Sequence, residues 1–378
     1  MTHNTCAIEQ TVDLRNPVRW DTCSLGYTLL LIVIAVAAVC YPTGNYDGVF
    51  YTALTVRATD ARTLQRAGLE YERHLPQTVP SSYGDNMRSD PDHFVEQLPY
   101  YSVKPLYLSA LGLARKVGFR WRSGALVSSV SYCVLGWLLW RWLRRYFGNT
   151  ETLVLAILLI LNPSLLRLIR WTSPDVMGIL AVMAGVYLIV EADRPVSGIG
   201  LLLVAIWIRP ETVIFSGLVI CAAYLRHKLS LIEAGVLSIL ALGSYAIITQ
   251  FGGFSYGTLF YNTFIERMNA PAESVFVITR SSYLHVLVSS LQVLFFVNPM
   301  VIFPFLVIAI DYFVLKERDM YSALLVAALF SSVILYGAFP HMDARYYYYQ
   351  WVLIPALVLL IHTKRAVTRT CRGVAADN

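Results

Sequence analysis

Ten apolar stretches, most of them close to twenty residues long, make up nearly half of this 378-residue chain. The hydrocarbon core of a bilayer is about 30 Å thick, so a helix crosses it in about 20 residues. A segment in that medium must satisfy its own backbone, and runs of this length read as helices. They are 24–41, 123–142, 151–163, 174–192, 196–208, 211–226, 229–249, 293–315, 320–339 and 349–363. The expectation is an all-α, polytopic membrane protein with about ten transmembrane helices in a single transmembrane domain over 1–378. A further apolar piece, 101–119, carries Pro105 and ends in basic residues. It spans, re-enters or lies along the interface, and the ten-span reading puts it on the outer side.

Composition narrows the class. Hydrophobic residues make up 57% of the chain and charged ones 14%, against about 25% charged in soluble domains. An ordinary soluble enzyme, a disordered chain and a collagen-like chain are excluded. The 30 basic and 24 acidic residues leave a net charge of +6, and the basic ones punctuate apolar runs instead of forming a stripe. That excludes a nucleic-acid binder. Cys6, Cys23, Cys40, Cys133, Cys221 and Cys371 are scattered without a C-x-x-C pair, so neither a disulfide framework nor a thiolate metal site is expected.

Lys and Arg mark the cytoplasmic side of a membrane protein. With ten spans, Arg141–Arg145, Arg226–Lys228, Lys316–Arg318 and Lys364–Arg372 fall on the side of the polar segment 1–23. Segments 1–23 and 364–378 are then cytoplasmic, and the protein sits in the inner membrane of the cell. The polar start is longer than the basic start of a signal peptide, which makes the first span a retained anchor. Arg115, Lys116, Arg120 and Arg122 stand against this orientation. The hydrophilic connection 42–100 faces outward and reads as lacking an apolar core. Phe50, Leu54, Ala58, Ala61 and Leu64 recur at helical spacing, predicting an amphipathic helix over 50–64 on the membrane surface. Residues 77–97 read as loop.

Ionisable residues at a membrane edge are costly and mark functional sites. In Tyr46-Asp47-Gly48-Val49-Phe50-Tyr51, just after the first span, Asp47 is a candidate general base at headgroup level, beside the aromatics Tyr46 and Tyr51. Gly48 suits a tight turn there. Asp47 also suits the cap of a helix from Phe50, and the two roles are compatible. In Trp171-Thr172-Ser173-Pro174-Asp175, Ser173 suits a cap, Pro174 the first turn and Asp175 the helix dipole. Arg209-Pro210-Glu211 splits an apolar run, a break that suggests a cavity lining. Its two charges are close enough in sequence to need no other partner. His341-Met342-Asp343-Ala344-Arg345-Tyr346 opens a run of four tyrosines, an aromatic belt to which Arg345 adds a guanidinium matched to phosphate. Lys104, before Pro105, supplies a second cation or snorkels to the interface. The expected substrate contacts are Arg345, Lys104, Arg209, Glu211, Asp175, Tyr46, Tyr51, His341 and Tyr346. One carboxylate, several cations and many tyrosines on one side suit a phospholipid-linked substrate.

The Tyr46–Tyr51 motif resembles that of the GT-C superfamily of integral-membrane glycosyltransferases, including protein O-mannosyltransferases and the GPI mannosyltransferases with their W-D-G-x-W-Y pattern. It looks closer to bacterial members with Y-D-G-Q-F-Y. Pro105-Leu106-Tyr107 after the loop, Asn162-Pro163 followed by Ser173-Pro174-Asp175, and Arg345-Tyr346 before the last helix agree with that layout. The resemblance implies a polyprenyl-phosphate sugar donor, an outward-facing active site and inverting transfer to a hydroxyl of a glycan, lipid or protein acceptor. It makes Asp47 the catalytic acidic residue and Arg345 a lipid-phosphate contact. Asp47 stands alone where several members pair two acids, which weakens a metal claim: no cofactor is implied, and a divalent cation stays open. A transporter or flippase for lipid or glycolipid is the alternative from another class, and would carry charges in mid-span. A non-catalytic subunit of an envelope-polysaccharide assembly would leave Asp47 and Arg345 replaceable.

Overall fold

Asp21 and Ser24 open the first helix with a capping box: Asp21 accepts from the Ser24 backbone N–H at 2.7 Å, and Ser24 Oγ accepts from the Asp21 N–H at 3.0 Å. In the computed structural model, which describes residues 21–56, 58–75, 88–265, 276–296, 319–340, 349–350 and 352–363, that helix is α1 (Thr22–Cys40). A region of shorter helices follows, called the outer region because it lies outside the main bundle, with α2 (Tyr46–Leu54), α3 (Ala61–His74), α4 (Pro91–Gln97), α5 (Pro99–Ser102) and α6 (Pro105–Ala114). The main bundle continues with α7 (Ser123–Leu143), α8 (Asn149–Ile160), α9 (Pro163–Leu168), α10 (Asp175–Val190), α11 (Pro195–Ile208) and α12 (Thr212–Leu225). Then come α13 (Leu231–Gly252), α14 (Tyr256–Phe264), α15 (Arg280–Phe296), α16 (Met320–Ala338) and α17 (Val352–Thr363). Among the described residues every regular element is helical.

Four helical segments are long and apolar enough to cross a membrane: Thr22–Cys40, Pro105–Leu143, Leu231–Gly252 and Met320–Ala338. The second is bent, with Gly118 at φ 99° and Arg120 at φ 28°, and its two halves, α6 and α7, pack against each other. Shorter apolar helices, among them α8, α10, α11 and α12, fill the bundle. The outside of the bundle is apolar too: Ile232 and Ile239 on α13 are 79% and 71% exposed, and Leu29 and Val33 on α1 are exposed as well. A surface of this kind needs lipid to cover it, and the chain is a membrane protein.

Polar contacts sort the helix termini into two ends. At one end Asp21 accepts from Arg144 at 3.3 Å and from Asn149 at 2.6 Å. There the Glu191 carboxylate, after α10, accepts from Trp142 Nε1 at 2.8 Å, Arg145 at 2.9 Å, the Tyr146 hydroxyl at 2.7 Å and the Tyr321 hydroxyl. At the other end Arg170 Nε donates to the Tyr41 carbonyl at 3.0 Å, and Ser102 Oγ to the Phe251 carbonyl at 2.8 Å. Helices α1, α7, α8 with α9, α10, α11, α12 and α13 therefore run alternately between the two ends. Helices α2–α6 lie over the second.

The outer region departs from the expected one surface helix and loop. The helix predicted over 50–64 is two: α2 stops at Leu54, and Asp60 accepts from the Thr63 N–H at 2.8 Å to begin α3. Capping chemistry overrides the apolar spacing there. Inside the 77–97 segment, Asp90 caps α4 by accepting from the Asp92 N–H at 2.9 Å, with Pro91 in the first turn; residues 76–87 lie outside the described ones. The region also has an apolar core, because α4–α6 return beneath α2: Phe50 stacks on Tyr101 at 4.4 Å and on Phe94 at 5.1 Å. Within 101–119, α6 has ten residues and is about 15 Å long, half a bilayer. Most of the expected helix 293–315 lies outside the described residues; α15 begins earlier, where Thr279 Oγ1 accepts from the Ser282 N–H at 3.1 Å.

Candidate functional site at one end of the bundle

The hairpin of α10 and α11 forms the charged floor of the site. A Cβ added to Gly185 would lie 2.8 Å from the Gly198 carbonyl oxygen, and one on Gly198 would lie 2.5 Å from that of Gly185. The two backbones meet there because neither residue has a side chain. Gly185 stands ten residues after Asp175, and Gly198 ten before Ile208, so antiparallel packing brings Asp175 level with the end of α11. Pro210 has no N–H to continue that helix. Arg209 leaves it extended at φ −145°, ψ 105°, and its guanidinium pairs with Asp175 and Glu211 together. Asp175 is 1% exposed and Arg209 5%. The expectation that Arg209 and Glu211 need no other partner is corrected by the Asp175 pair, which depends on a register that local sequence does not display. Ser173 does not cap α10, which begins after Pro174 with no side-chain cap.

A polar knot ties the outer region to this floor. Asn45 Oδ1 accepts from the Tyr71 hydroxyl at 3.1 Å and from the Thr172 N–H at 3.3 Å, while Asn45 Nδ2 donates to the Thr172 carbonyl at 3.3 Å. Burial pushes the Tyr71 hydroxyl up to about 12, with the charge of Asp47 adding to the effect. Asp47 is not the cap of a helix from Phe50: α2 starts at Tyr46 after Asn45, and Asp47 lies in its first turn, where the helix dipole favours a carboxylate. It is half-buried and within electrostatic reach of the Tyr71 and Tyr107 hydroxyls. Gly48 makes no turn. It is helical, and a Cβ there would lie 2.4 Å from the Tyr71 ring, so its role is the close approach of α3.

Lys104 joins the two halves. Its ammonium donates to the Tyr51 hydroxyl at 2.6 Å and lies 5.1 Å and 5.7 Å from the centroids of the Tyr51 and Tyr101 rings. It is half-buried within electrostatic reach of Glu211. Asp47, Tyr51, Lys104, Asp175, Arg209 and Glu211 thus gather at one end of the bundle. Tyr46 packs edge-on against Phe50 at 5.2 Å. His341, Arg345 and Tyr346 lie outside the described residues. Tyr349, the last of the tyrosine run, is buried and not part of a lipid belt: its hydroxyl is 2.8 Å from Ser331 Oγ, its ring 5.2 Å from that of Phe215, and Glu211 and Arg209 are within its electrostatic reach. No group of three or more His, Cys, Asp or Glu side chains positioned to hold a metal occurs among the described residues.

Several participants had no expected role: Asn45, Tyr71, Thr172 and Tyr107. Asn45 directly precedes the Tyr46-Asp47 pair, and Tyr71 lies on the buried face of the strongly amphipathic α3, which were the signals to find them. Chemically the site offers a carboxylate beside phenols, an immobilised ammonium and a buried ion triad, all at one level. Comparison with family models, curated proteins and solved structures gives no match to this chain.

Proposed function

We propose that the protein is a GT-C-type membrane glycosyltransferase, moving a sugar from a polyprenyl-phosphate donor to an acceptor hydroxyl. In this reading the bundle crosses the inner membrane about ten times, with both termini cytoplasmic and α2–α6 on the outer face. The observation that carries it is the joint placement of Asp47 and the Lys104–Glu211–Arg209–Asp175 charges under one aromatic layer. Helix α10 has 16 residues and is about 24 Å long, so its charged end lies within a hydrocarbon thickness of about 30 Å. Charges act strongly at such a level.

Asp47 takes the proton of the acceptor hydroxyl as its oxygen attacks the anomeric carbon. The bond from that carbon to the phosphate oxygen breaks, and the lipid phosphate leaves as an anion toward Lys104 and Arg345. Attack opposite the leaving group inverts the anomeric centre. Purified protein in proteoliposomes, given a radiolabelled polyprenyl-phosphate sugar, is expected to transfer label to an acceptor. Arg345→Ala is expected to lower transfer roughly ten- to a hundredfold, the worth of a charged hydrogen bond, and Arg345→Lys less because charge remains. Movement of the donor across the bilayer without any transfer would make the protein a flippase instead.

A further inference from the structure

We propose that the turn Arg115–Arg122, between α6 and α7, binds the phosphate headgroup of an anionic phospholipid through Lys116 and Arg120, with Leu113 and Val117 against its acyl chains. Such a site requires only that lipid covers the bundle and is independent of any transferase activity. Four of the eight residues are basic, and the stretch from Gln97 to Thr150 contains neither Asp nor Glu. These are the cations that run against the orientation favoured by the other basic segments. A basic cluster of this size beside a spanning helix is the pattern that recruits anionic lipid.

The turn lies at the edge of the lipid. The Thr43 N–H donates to the Arg170 carbonyl at 3.1 Å, and a Cβ on Gly124 would overlap Thr172. The end of α1, the segment before α10 and the start of α7 therefore share one level, and the turn directly precedes Ser123 of α7. Below it Val130 and Val134 of α7 are exposed, in keeping with a lipid-facing surface. Gly118, at φ 99°, folds the turn back, and Arg115 and Arg120 come within electrostatic reach of each other.

The side chains of the turn divide by role. The Arg122 guanidinium lies over the Trp121 ring at 4.5 Å, and Trp121 stacks on His74 of α3 at 5.2 Å, which fixes the turn to the outer region. Arg115 is half-buried, with Glu70 in electrostatic reach. Lys116 and Arg120 are exposed, and their side chains form no ion pair or hydrogen bond among the described residues. Leu113 and Val117 are 65% and 64% exposed. Like charges crowded without an acid repel one another, and an anion from outside relieves this. Phosphate accepts from guanidinium and ammonium alike. Acyl chains cover the two apolar residues, which a free anion cannot do.

The test uses full-length protein in lipid-free zwitterionic detergent, with short-chain phosphatidylglycerol, the matching phosphatidylcholine and inorganic phosphate as probes. Binding is read by native mass spectrometry and by the thermal midpoint. Phosphatidylglycerol is expected to bind and raise the wild-type midpoint, less so at high salt, and the other two probes to do so weakly or not at all. Lys116→Gln with Arg120→Gln is expected to weaken phosphatidylglycerol binding roughly thirtyfold, about fivefold for each cation near a lipid surface. Arg62→Gln with Arg66→Gln removes the same charge from the exposed face of α3 and is expected to leave that binding nearly unchanged. Without probe, the Lys116 and Arg120 double variant is expected to unfold at or above the wild-type midpoint, because like charges have been removed. A probe-free midpoint several degrees lower would reveal an internal acidic partner and overturn the proposal. So would equal phosphatidylglycerol binding in wild type and that variant, an equal loss in both double variants, equal binding of phosphatidylcholine, or a phosphate response of the same size.

Discussion

Gly185 and Gly198 touch through their backbones, and that contact sets the register that brings Asp175, ten residues before Gly185, to Arg209, eleven after Gly198. Gly198→Ala would put a methyl group 2.5 Å from the Gly185 carbonyl oxygen and the Ile189 side chain. The helices must then separate, at a cost of about 1–3 kcal/mol, and the ion pair at their ends loosens. Gly200→Ala, on the same helix with nothing within 4 Å, is expected to be neutral or to gain about 0.5–1 kcal/mol. Thermal unfolding of both variants in detergent checks the contrast, and equal behaviour would contradict the register argument.

Arg209, itself buried, pairs with two carboxylates at once. Arg209→Met leaves Asp175 without its cation and Glu211 with Lys104 alone, and is expected to cost about 3–5 kcal/mol. Adding Asp175→Asn and Glu211→Gln to it should recover most of that loss, since the penalty comes from the stranded charges. Failure to recover would mean that guanidinium packing, and not charge, holds the end of the hairpin.

Tyr71 supplies a pH dependence with a definite sign. An unfolded tyrosine titrates near 10, and in the folded protein burial raises Tyr71 to about 12. The folded state thus holds the proton more tightly. Its contribution to stability is complete below pH ~10 and disappears as pH rises from ~10 through ~12. Tyr71→Phe gives up the bond to Asn45, about 1 kcal/mol at pH 8, and should flatten this part of the alkaline decline. Unfolding midpoints from pH 8 to 11 decide the matter.

The two ends of the bundle make an accessibility prediction. Thr59, between α2 and α3, and Asp193, in the α10–α11 turn, are both exposed and belong to opposite ends. In a cysteine-free background, Thr59→Cys should react with a membrane-impermeant maleimide from outside intact cells, and Asp193→Cys only after permeabilisation. Labelling of both from one side would contradict the crossing scheme.

Helix positions were legible in the apolar runs: 24–41 against Thr22–Cys40, 123–142 against Ser123–Leu143, 196–208 against Pro195–Ile208. In a bilayer the apolar length itself dictates the helix, so composition carries the answer. The outer region was less legible, because its helices begin where Asp60 and Asp90 bond the backbone and its core is assembled from Phe50, Phe94 and Tyr101 far apart in sequence. Within the site, Asp47, Lys104, Arg209 and Glu211 stood out as charges beside apolar runs. Asp175 stood out too, but the pairings did not: the Asp175–Arg209 pair depends on a glycine contact, and Asn45 bonds across 127 residues to Thr172. Neither relationship has a local signature.

The central claim rests on Asp47 as a base. Asp47→Asn keeps the shape of the first turn of α2 and removes the carboxylate's basicity and charge. Sugar transfer by the purified variant, with its thermal unfolding recorded on the same samples, is the direct measurement. The predicted result is a protein of near wild-type stability whose transfer falls by roughly 10²–10⁴. A stable Asp47→Asn protein with full transfer activity would contradict the account.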